Sequence, residues 1–159
     1  MLYAVLVVAL VALDQLVKYL VVQNISPGEY IPFLPHILDL TYVQNTGAAF
    51  SLFSEHTWLL TLISLVMSVL LLMALVRGFF RHPFGRISLA LLLAGAVGNL
   101  IDRAFQGYVV DMFHVLFMEF AVFNVADICV VVGGIAAAVY YVWGYERLEK
   151  GLHPQERRP

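Results

Sequence analysis

The chain has 159 residues, of which 62% are hydrophobic and only 13% are charged. A soluble domain of this length carries about 25% charged residues, so the composition excludes disorder and disfavours a water-soluble globule. The net charge of −2 excludes a strongly basic face for nucleic acid, and the single cysteine excludes an internal disulfide. The composition therefore indicates a small integral membrane protein.

Four apolar stretches are long enough to cross a bilayer, since a spanning helix needs about 20 mostly apolar residues. They are residues 2–22, 58–76, 87–105 and 122–143. The first stretch contains Asp14, Gln15 and Lys18, and no basic residue precedes it, so we expect a retained span rather than a signal peptide. The sequence predicts a mainly α membrane protein, a four-transmembrane-helix bundle forming a single domain, 1–159.

The first connecting segment, residues 23–56, has a different composition. It carries three acidic residues and no lysine or arginine. Residues 37–44 partly alternate between apolar and polar types and are rich in strand formers, which predicts a small extracytoplasmic β-sheet. Residues 45–50 predict a turn into a short interfacial helix.

The charged loops predict the orientation of the chain in the membrane. Residues 77–86 carry three arginines and the tail 144–159 is also basic, whereas loops 23–56 and 106–120 are acidic. Basic loops stay on the cytoplasmic side. We therefore expect both termini, and the tail, to be cytoplasmic and the two acidic loops to lie outside.

With this topology the polar residues of the spans fall at one depth. Asp14 lies about 12 residues, or roughly 18 Å, from the cytoplasmic end of the first span, in the outer half of the bilayer. The third and fourth spans bring further polar residues to this level, with one more in the loop between them. These residues are Asn99, Asp102, Arg103, Asp111, Asn124 and Asp127. Intramembrane ionisable residues are costly and mark functional sites, so this layer is a candidate active site.

Asp111 and Asp127 are the candidates for acid–base chemistry. Two carboxylates that face each other in a low-dielectric site share a proton, so that one acts as general base and the other as general acid. Spacing alone does not bring them together. Asp111 is equally suited to capping a helix or pairing with Arg103, and Asp127 to pairing with Arg103 or Lys18.

The remaining polar residues predict supporting contacts. Asp14 and Lys18 are four residues apart, which favours an ion pair on one helix face. The Arg103 guanidinium suits either a peptide carbonyl or an ion pair with a nearby aspartate.

Other chemistries lack their residues. His114 has no second histidine or carboxylate to complete a metal site, so no metal is expected, and nothing near Cys129 favours its thiolate. The sequence contains no serine-centred elbow and no phosphate-binding loop.

A membrane transporter is the alternative function. Buried charges at one depth also suit a small proton-coupled transporter or channel subunit. Against it, the charges stop near one face, so no polar path crosses the bundle, and the four spans contain no inverted repeat.

Five polar motifs occur in order along the chain. They are Asp14-Gln15-Leu16-Val17-Lys18, Asn45-Thr46-Gly47-Ala48-Ala49-Phe50, Gly98-Asn99-Leu100-Ile101-Asp102-Arg103, Gly107-Tyr108-Val109-Val110-Asp111-Met112-Phe113 and Phe123-Asn124-Val125-Ala126-Asp127. This series closely resembles the bacterial lipoprotein signal peptidases, also called signal peptidase II. The resemblance covers the four spans and nearly the whole chain up to the tail.

The resemblance implies an intramembrane aspartic endopeptidase (a hydrolase) of the bacterial cytoplasmic (inner) membrane. Such enzymes remove the signal peptide from diacylglyceryl-modified prolipoproteins by cleaving before the lipidated cysteine, and their site lies near the outer leaflet. It further implies membrane lipids as partners, no metal or organic cofactor, and inhibition by the cyclic peptide antibiotic globomycin.

The resemblance also assigns roles to individual residues. Asp111 and Asp127 match the catalytic aspartyl protease dyad. Three polar residues match groups that orient the dyad and the substrate backbone, namely Asn99, Arg103 and Asn124. Asn45 matches a residue that lines the substrate cleft, and the first motif, with Asp14 and Lys18, is expected to be structural support.

Overall fold

The computed structural model describes residues 1–47 and 57–149, and of residues 145–149 only the backbone. Within these residues, four helices are long and apolar enough to cross a membrane. They are α1 (Leu2–Asn24), α2 (Thr57–Val76), α3 (Pro83–Gln106) and α4 (Val125–Val139), which continues as a π-helical segment, Tyr140–Glu149.

Large apolar side chains cover the outer faces of these helices. Val8 on α1, Leu65 on α2 and Val131 on α4 are among many that are exposed. A soluble protein of this size does not leave such continuous apolar surface in water, whereas a lipid bilayer covers it favourably. The chain is a multi-pass membrane protein, as its composition predicted.

The central helix of the bundle is α3, which packs against α1, α2 and α4 and is the most buried of the four. Small residues permit this close packing. A Cβ atom at Gly95 would collide with the Ala126 carbonyl oxygen of α4, and one at Gly98 would lie 2.7 Å from the Asp14 Oδ2 atom of α1. These two glycines let the neighbouring helices approach α3 at the level of the polar residues.

Two helices begin at residues other than those predicted, because polar caps set their first turns. α3 begins at Pro83 rather than residue 87, since His82 accepts a hydrogen bond from the Phe84 N–H (3.3 Å) and proline is tolerated in the first helical turn. α4 begins at Val125 rather than residue 122, since Asn124 caps it. Hydropathy located the apolar parts of both helices but not these caps.

A three-stranded antiparallel sheet lies beside the helix ends. Its strands are β1 (Tyr30–Leu34), β2 (Leu38–Asn45) and β3 (Val109–Val115), in the order β1-β2-β3. β2 coincides with the strand predicted at residues 37–44. β3 lies in the segment 106–120, for which the sequence predicted a loop, so this prediction was wrong. Its first four residues are all buried, so they lack the alternation that identifies a half-exposed strand.

The short interfacial helix predicted from residues 45–50 falls largely on residues 48–56, which lie outside the described residues. The end of the predicted cytoplasmic tail, residues 150–159, also lies outside them.

Two apolar clusters lie above and below the polar layer. One joins α2, α3 and the π-helical segment around Leu89, Leu93 and Tyr140. The other joins the end of α1 to the sheet around Val21 and Met112. The polar residues of α1 and α3 lie between the two clusters and are screened from water on both sides.

Candidate active site

The polar layer is formed where α1, α3, β3 and the start of α4 meet. Its side chains come from all four elements and are almost completely buried: Asp14, Lys18, Asn99, Asp102, Asp111 and Asn124. Buried polar groups are costly unless they are hydrogen-bonded, so the partners of each one define the site.

Asp111 is positioned by the sheet. It lies on β3 opposite Val43 of β2, and Asn45, at the end of β2, donates from Nδ2 to Asp111 Oδ2 (2.8 Å). Asn124 donates from Nδ2 to Asp111 Oδ1 (2.7 Å). Each oxygen of the carboxyl group therefore accepts one amide N–H.

Asp127 is positioned by the capping box that begins α4. The Asn124 side chain accepts from the Asp127 N–H (2.9 Å), and the Asp127 Oδ2 atom accepts from the Asn124 N–H (3.2 Å). Asn99 of α3 donates from Nδ2 to Asp127 Oδ1 (2.8 Å). The position near a helix N-terminus also favours negative charge on this side chain.

Asn124 joins the two carboxyl groups. Its side chain bonds directly to Asp111, its backbone N–H bonds to Asp127, and its Nδ2 atom also donates to Asn99 Oδ1 (3.1 Å). The structure thus brings together the two aspartates that spacing alone left apart, 16 positions from each other in the sequence.

Burial changes the pKa of the Asp111 carboxyl group. Burial raises the pKa of its carboxyl to about 6; the hydrogen bond from Asn45 opposes the shift, and the nearby Asp127 charge adds to it. The charge of one carboxylate makes ionisation of the other less favourable, so the first proton is lost from the pair more easily than the second. One ionised and one protonated carboxyl are the requirements for general base and general acid catalysis on a single water molecule.

Lys18 joins the remaining charges of the layer. Its Nζ atom lies 2.9 Å from Asp14 Oδ2 and 3.0 Å from Asp102 Oδ2, and it donates to Asn99 Oδ1 (3.1 Å). The ion pair with Asp14 was predicted from their spacing. The pairing with Asp102 was not predicted. It joins α1 to α3, and a single sequence does not show how these two helices are rotated relative to each other.

Gln15 belongs to the polar network, although its motif alone predicted no role for it. Its Nε2 atom donates to Asp102 Oδ1 (2.9 Å) and to the Gly98 carbonyl oxygen (3.2 Å). The signal that could have indicated this role is its position next to Asp14 inside an apolar span, where a polar side chain requires a hydrogen-bond partner.

The two carboxylates beside Lys18 also contact the backbone next to each aspartate of the pair. Asp14 Oδ1 accepts from the Ala126 N–H (2.8 Å), the residue before Asp127. Asp102 Oδ2 accepts from the Val110 N–H (3.0 Å), the residue before Asp111.

Arg103 contacts a peptide carbonyl of the chain itself, which is one of the two roles that the sequence left open. It forms no ion pair with an aspartate of the described residues; instead it donates to the Gly47 carbonyl oxygen (3.3 Å) and to Ser64 Oγ (3.5 Å). Its Nε atom is buried and has no hydrogen-bond partner among the described residues. A donor of this kind remains available to a bound molecule.

Two cavities meet at Asp111. The smaller, about 440 Å³, extends along α4 and has a mostly apolar lining that includes Ile128 and Val131, together with Arg103 and Asp127. The larger, about 840 Å³, extends along the sheet past Tyr30. Both cavities are lined by Asn45, Asp111, Phe120, Ala121 and Val122. A chain that occupied both cavities would pass directly over Asp111.

His114 and Cys129 lie outside the polar network. The His114 ring packs edge-to-face against Tyr30, with ring centroids 5.2 Å apart, and Cys129 is a buried free thiol in α4. Among the side chains that the structure describes, residues 1–47 and 57–144, no three His, Cys, Asp or Glu are grouped closely enough to hold a metal ion.

The fold and the site together define a multi-pass membrane protein with a buried, hydrogen-bonded pair of carboxyl groups at the meeting point of two cavities. The comparisons with known proteins are more specific. The family model described as Signal peptidase (SPase) II matches residues 6–143. The chain belongs to the signal peptidase II family, a family of aspartic peptidases that removes signal peptides from prolipoproteins.

Individual relatives are similar over most of their length. The lipoprotein signal peptidase of Enterococcus faecalis is 43% identical over 142 residues, covering 89% of this chain and 88% of that protein. The lipoprotein signal peptidase of Streptococcus pneumoniae is 45% identical over 132 residues, covering 83% of this chain and 86% of that protein. The comparisons give no support to the transporter alternative.

Two solved structures of bacterial membrane enzymes, both determined by the in meso method, share the fold. The structure at 2.3 Å resolution has a TM-score of 0.82 at 26% identity and covers 99% of this chain and 93% of that chain. The structure at 1.9 Å resolution has a TM-score of 0.81 at 28% identity and covers 89% and 92%.

Proposed function

We propose that this protein is an intramembrane aspartic endopeptidase that cleaves diacylglyceryl-modified prolipoproteins immediately before the lipidated cysteine. Asp111 and Asp127 are the catalytic pair. The observation that carries this assignment is the hydrogen bonding of Asn124 to both carboxyl groups where the two cavities meet. Family membership supplies the reaction, and this geometry supports the choice of residues.

The proposed reaction needs only these two side chains and a water molecule. The ionised carboxylate accepts a proton from the water molecule while the oxygen of that water attacks the scissile carbonyl carbon. The protonated carboxyl donates its proton toward the carbonyl oxygen, and the tetrahedral intermediate then collapses with transfer of a proton to the leaving amine. No metal or organic cofactor takes part in this scheme.

Arg103 and Asn45 are proposed to hold the substrate backbone, while Asn99 and Asn124 orient the pair. Arg103 lines the smaller cavity and has a buried Nε–H without a partner among the described residues, which suits a peptide carbonyl. Asn45 lines both cavities beside Asp111.

The two cavities suit the two ends of such a substrate. The apolar cavity along α4, with Ile128 and Val131, suits the signal peptide between the spans. The cavity along the sheet suits the lipidated end of the mature chain, where membrane lipids border the protein. Globomycin, a cyclic peptide, would inhibit by occupying the same space.

We place the protein in the bacterial cytoplasmic membrane with both termini in the cytoplasm and the aspartates near the outer leaflet. The three arginines of residues 77–86 and the acidic composition of loop 23–56 support this orientation. It puts the scissile bond at the level where a lipid-bearing cysteine remains anchored.

The test is a gel-shift cleavage assay with the purified protein in detergent. One prolipoprotein is supplied in lipidated and unlipidated form to the wild type, Asp111→Asn and Asp127→Asn. We expect cleavage of the lipidated form only, with losses of several orders of magnitude in each variant, because either change removes one half of the acid–base pair. Ser68→Ala is the control, because the buried Ser68 hydroxyl donates to the Ser64 carbonyl oxygen of its own helix, α2 (2.7 Å).

Folded wild-type protein that leaves an authentic lipidated substrate intact would contradict the proposed reaction. Cleavage that survives either aspartate substitution would retain the peptidase but exclude the assigned pair.

A further inference from the structure

We infer that Lys18 is a positioning residue for the proposed reaction, acting on both aspartates although it contacts neither. This inference rests on the proposed function. Lys18 is 3% exposed and lies on α1, a helix that contributes no member of the pair. Among the described residues it lines neither of the two cavities, so a substrate held in them does not contact it.

The first connection runs through the Asn99 amide. A lysine ammonium can only donate, and it donates to Asn99 Oδ1 (3.1 Å), which also accepts from Asn124 Nδ2 (3.1 Å). With two donors on its oxygen, the Asn99 amide must direct Nδ2 toward Asp127 Oδ1 (2.8 Å). A reversed amide would place its NH₂ group against an ammonium and a second NH₂ group. Lys18 therefore fixes which atom of Asn99 faces Asp127.

The second connection runs through Asp14 and Asp102. Each of these buried carboxylates lies within 3.0 Å of the Lys18 Nζ atom. Asp14 in turn accepts from the Ala126 N–H (2.8 Å) and Asp102 from the Val110 N–H (3.0 Å). The ammonium thus lies between the two carboxylates whose oxygens accept these backbone bonds, and its loss would leave both buried without their cation.

One ammonium group thus holds the chain on the N-terminal side of each aspartate. Asp111 is on β3 and Asp127 is on α4, two elements that follow each other in the sequence but are positioned separately. The contacts of Lys18 tie both of them to α1 and α3. Lys18, which is not a member of the pair, therefore helps to determine the distance between the two carboxyl groups.

The expected consequence is a selective loss in the chemical step. The outer hydrogen-bond partners of metal ligands, which likewise orient a functional group without touching the substrate, cost about 10–100-fold when removed. We expect Lys18→Met to lower kcat by about 10–100-fold while KM stays within about twofold, because the cavities are unchanged.

Lys18→Met alone also leaves Asp14 and Asp102 without their cation and lowers stability, so a second variant is required. Lys18→Met/Asp102→Asn restores the net charge of the cluster, and the amide oxygen at position 102 still accepts from the Val110 N–H. If Lys18 acts as a positioning residue, the double variant regains most of the lost Tm in detergent but kcat stays about 10–100-fold low. If Lys18 is only a counter-ion, kcat recovers together with Tm, and the inference is wrong.

Arg86→Met is the matched control. Arg86 is another cation between α1 and α3, lying over the Tyr3 ring (4.4 Å to its centroid) near the start of α3. We expect its loss to lower Tm without changing kcat. An equal kcat loss in Arg86→Met and Lys18→Met would overturn the inference, since any weakened α1–α3 contact would then suffice. Wild-type protein that fails to cut the lipidated substrate would instead contradict the proposed function, before any variant is compared.

Discussion

Asn124 hydrogen-bonds to three other members of the site and is itself fully buried. It caps α4, bonds Asp111 and bonds Asn99. A single asparagine therefore couples the start of a membrane helix to the geometry of the carboxyl pair. The same capping box that begins α4 determines where Asp127 lies relative to Asp111.

The hydrogen bond between Asn45 and Asp111 leads to a prediction about how cleavage depends on pH. Its Nδ2–H stabilises the charged form of Asp111, and this bond opposes the rise of the Asp111 pKa. Removing it in Asn45→Ala raises that pKa further. The pair then keeps its shared proton to a higher pH, so the basic limb of the kcat/KM profile should move upward by about one pH unit.

The measurement is the pH profile of cleavage for the wild type and Asn45→Ala. Gln44→Ala is the control, because the neighbouring Gln44 side chain bonds to the Tyr42 hydroxyl group (2.8 Å) and not to Asp111. A basic limb that stays in place or moves to lower pH in Asn45→Ala would contradict the assignment of Asp111 to that limb.

At the scale of elements, the contact between α3 and α4 determines whether Asn99 reaches Asp127. A Cβ atom at Gly95 would collide with the Ala126 carbonyl oxygen. Gly95→Ala should force α3 and α4 apart at a point one helical turn from Asn99, whose side chain bonds to Asp127. We expect the free energy of unfolding to fall by about 1–3 kcal/mol and kcat to fall by about tenfold or more.

Gly134→Ala is the matched control on the same helix pair. A Cβ atom there meets only Leu92 Cδ2, at 3.9 Å, and alanine is favoured over glycine inside a helix. Thermal unfolding in detergent and the cleavage assay together check both variants. Equal behaviour of the two would show that the close approach at Gly95 has no effect on the site.

Some features of these elements could be predicted from the sequence and others could not. Hydropathy and charge gave four helices, and the i,i+4 spacing gave the Asp14–Lys18 pair, since both are local properties of one segment. The Lys18–Asp102 pair depends on how α1 is rotated against α3, and β3 is buried on both faces, so neither has a local signature. The roles of the motif residues came from the family resemblance, because spacing did not bring Asp111 to Asp127.

At the scale of the whole molecule, the orientation in the membrane is open to direct measurement. Single cysteines are introduced at Glu29, before the sheet, and at Arg81, between α2 and α3, in a Cys129→Ala background. An impermeant maleimide should label Glu29→Cys in intact cells and Arg81→Cys only after permeabilisation, because the basic loop is expected in the cytoplasm. Reversed labelling would place the aspartates at the inner leaflet.

The ion cluster around Lys18 has a consequence for biosynthesis. α1 is made first and must enter the bilayer before α3, which carries Asp102, has been synthesised. One lysine or one aspartate at the centre of a spanning helix costs about 2.5–3.5 kcal/mol during insertion. Asp14 and Lys18 lie one turn apart on the same helix, and this spacing allows their ion pair to form within α1 alone. The pair that later holds the finished site is thus also what makes the first helix insertable.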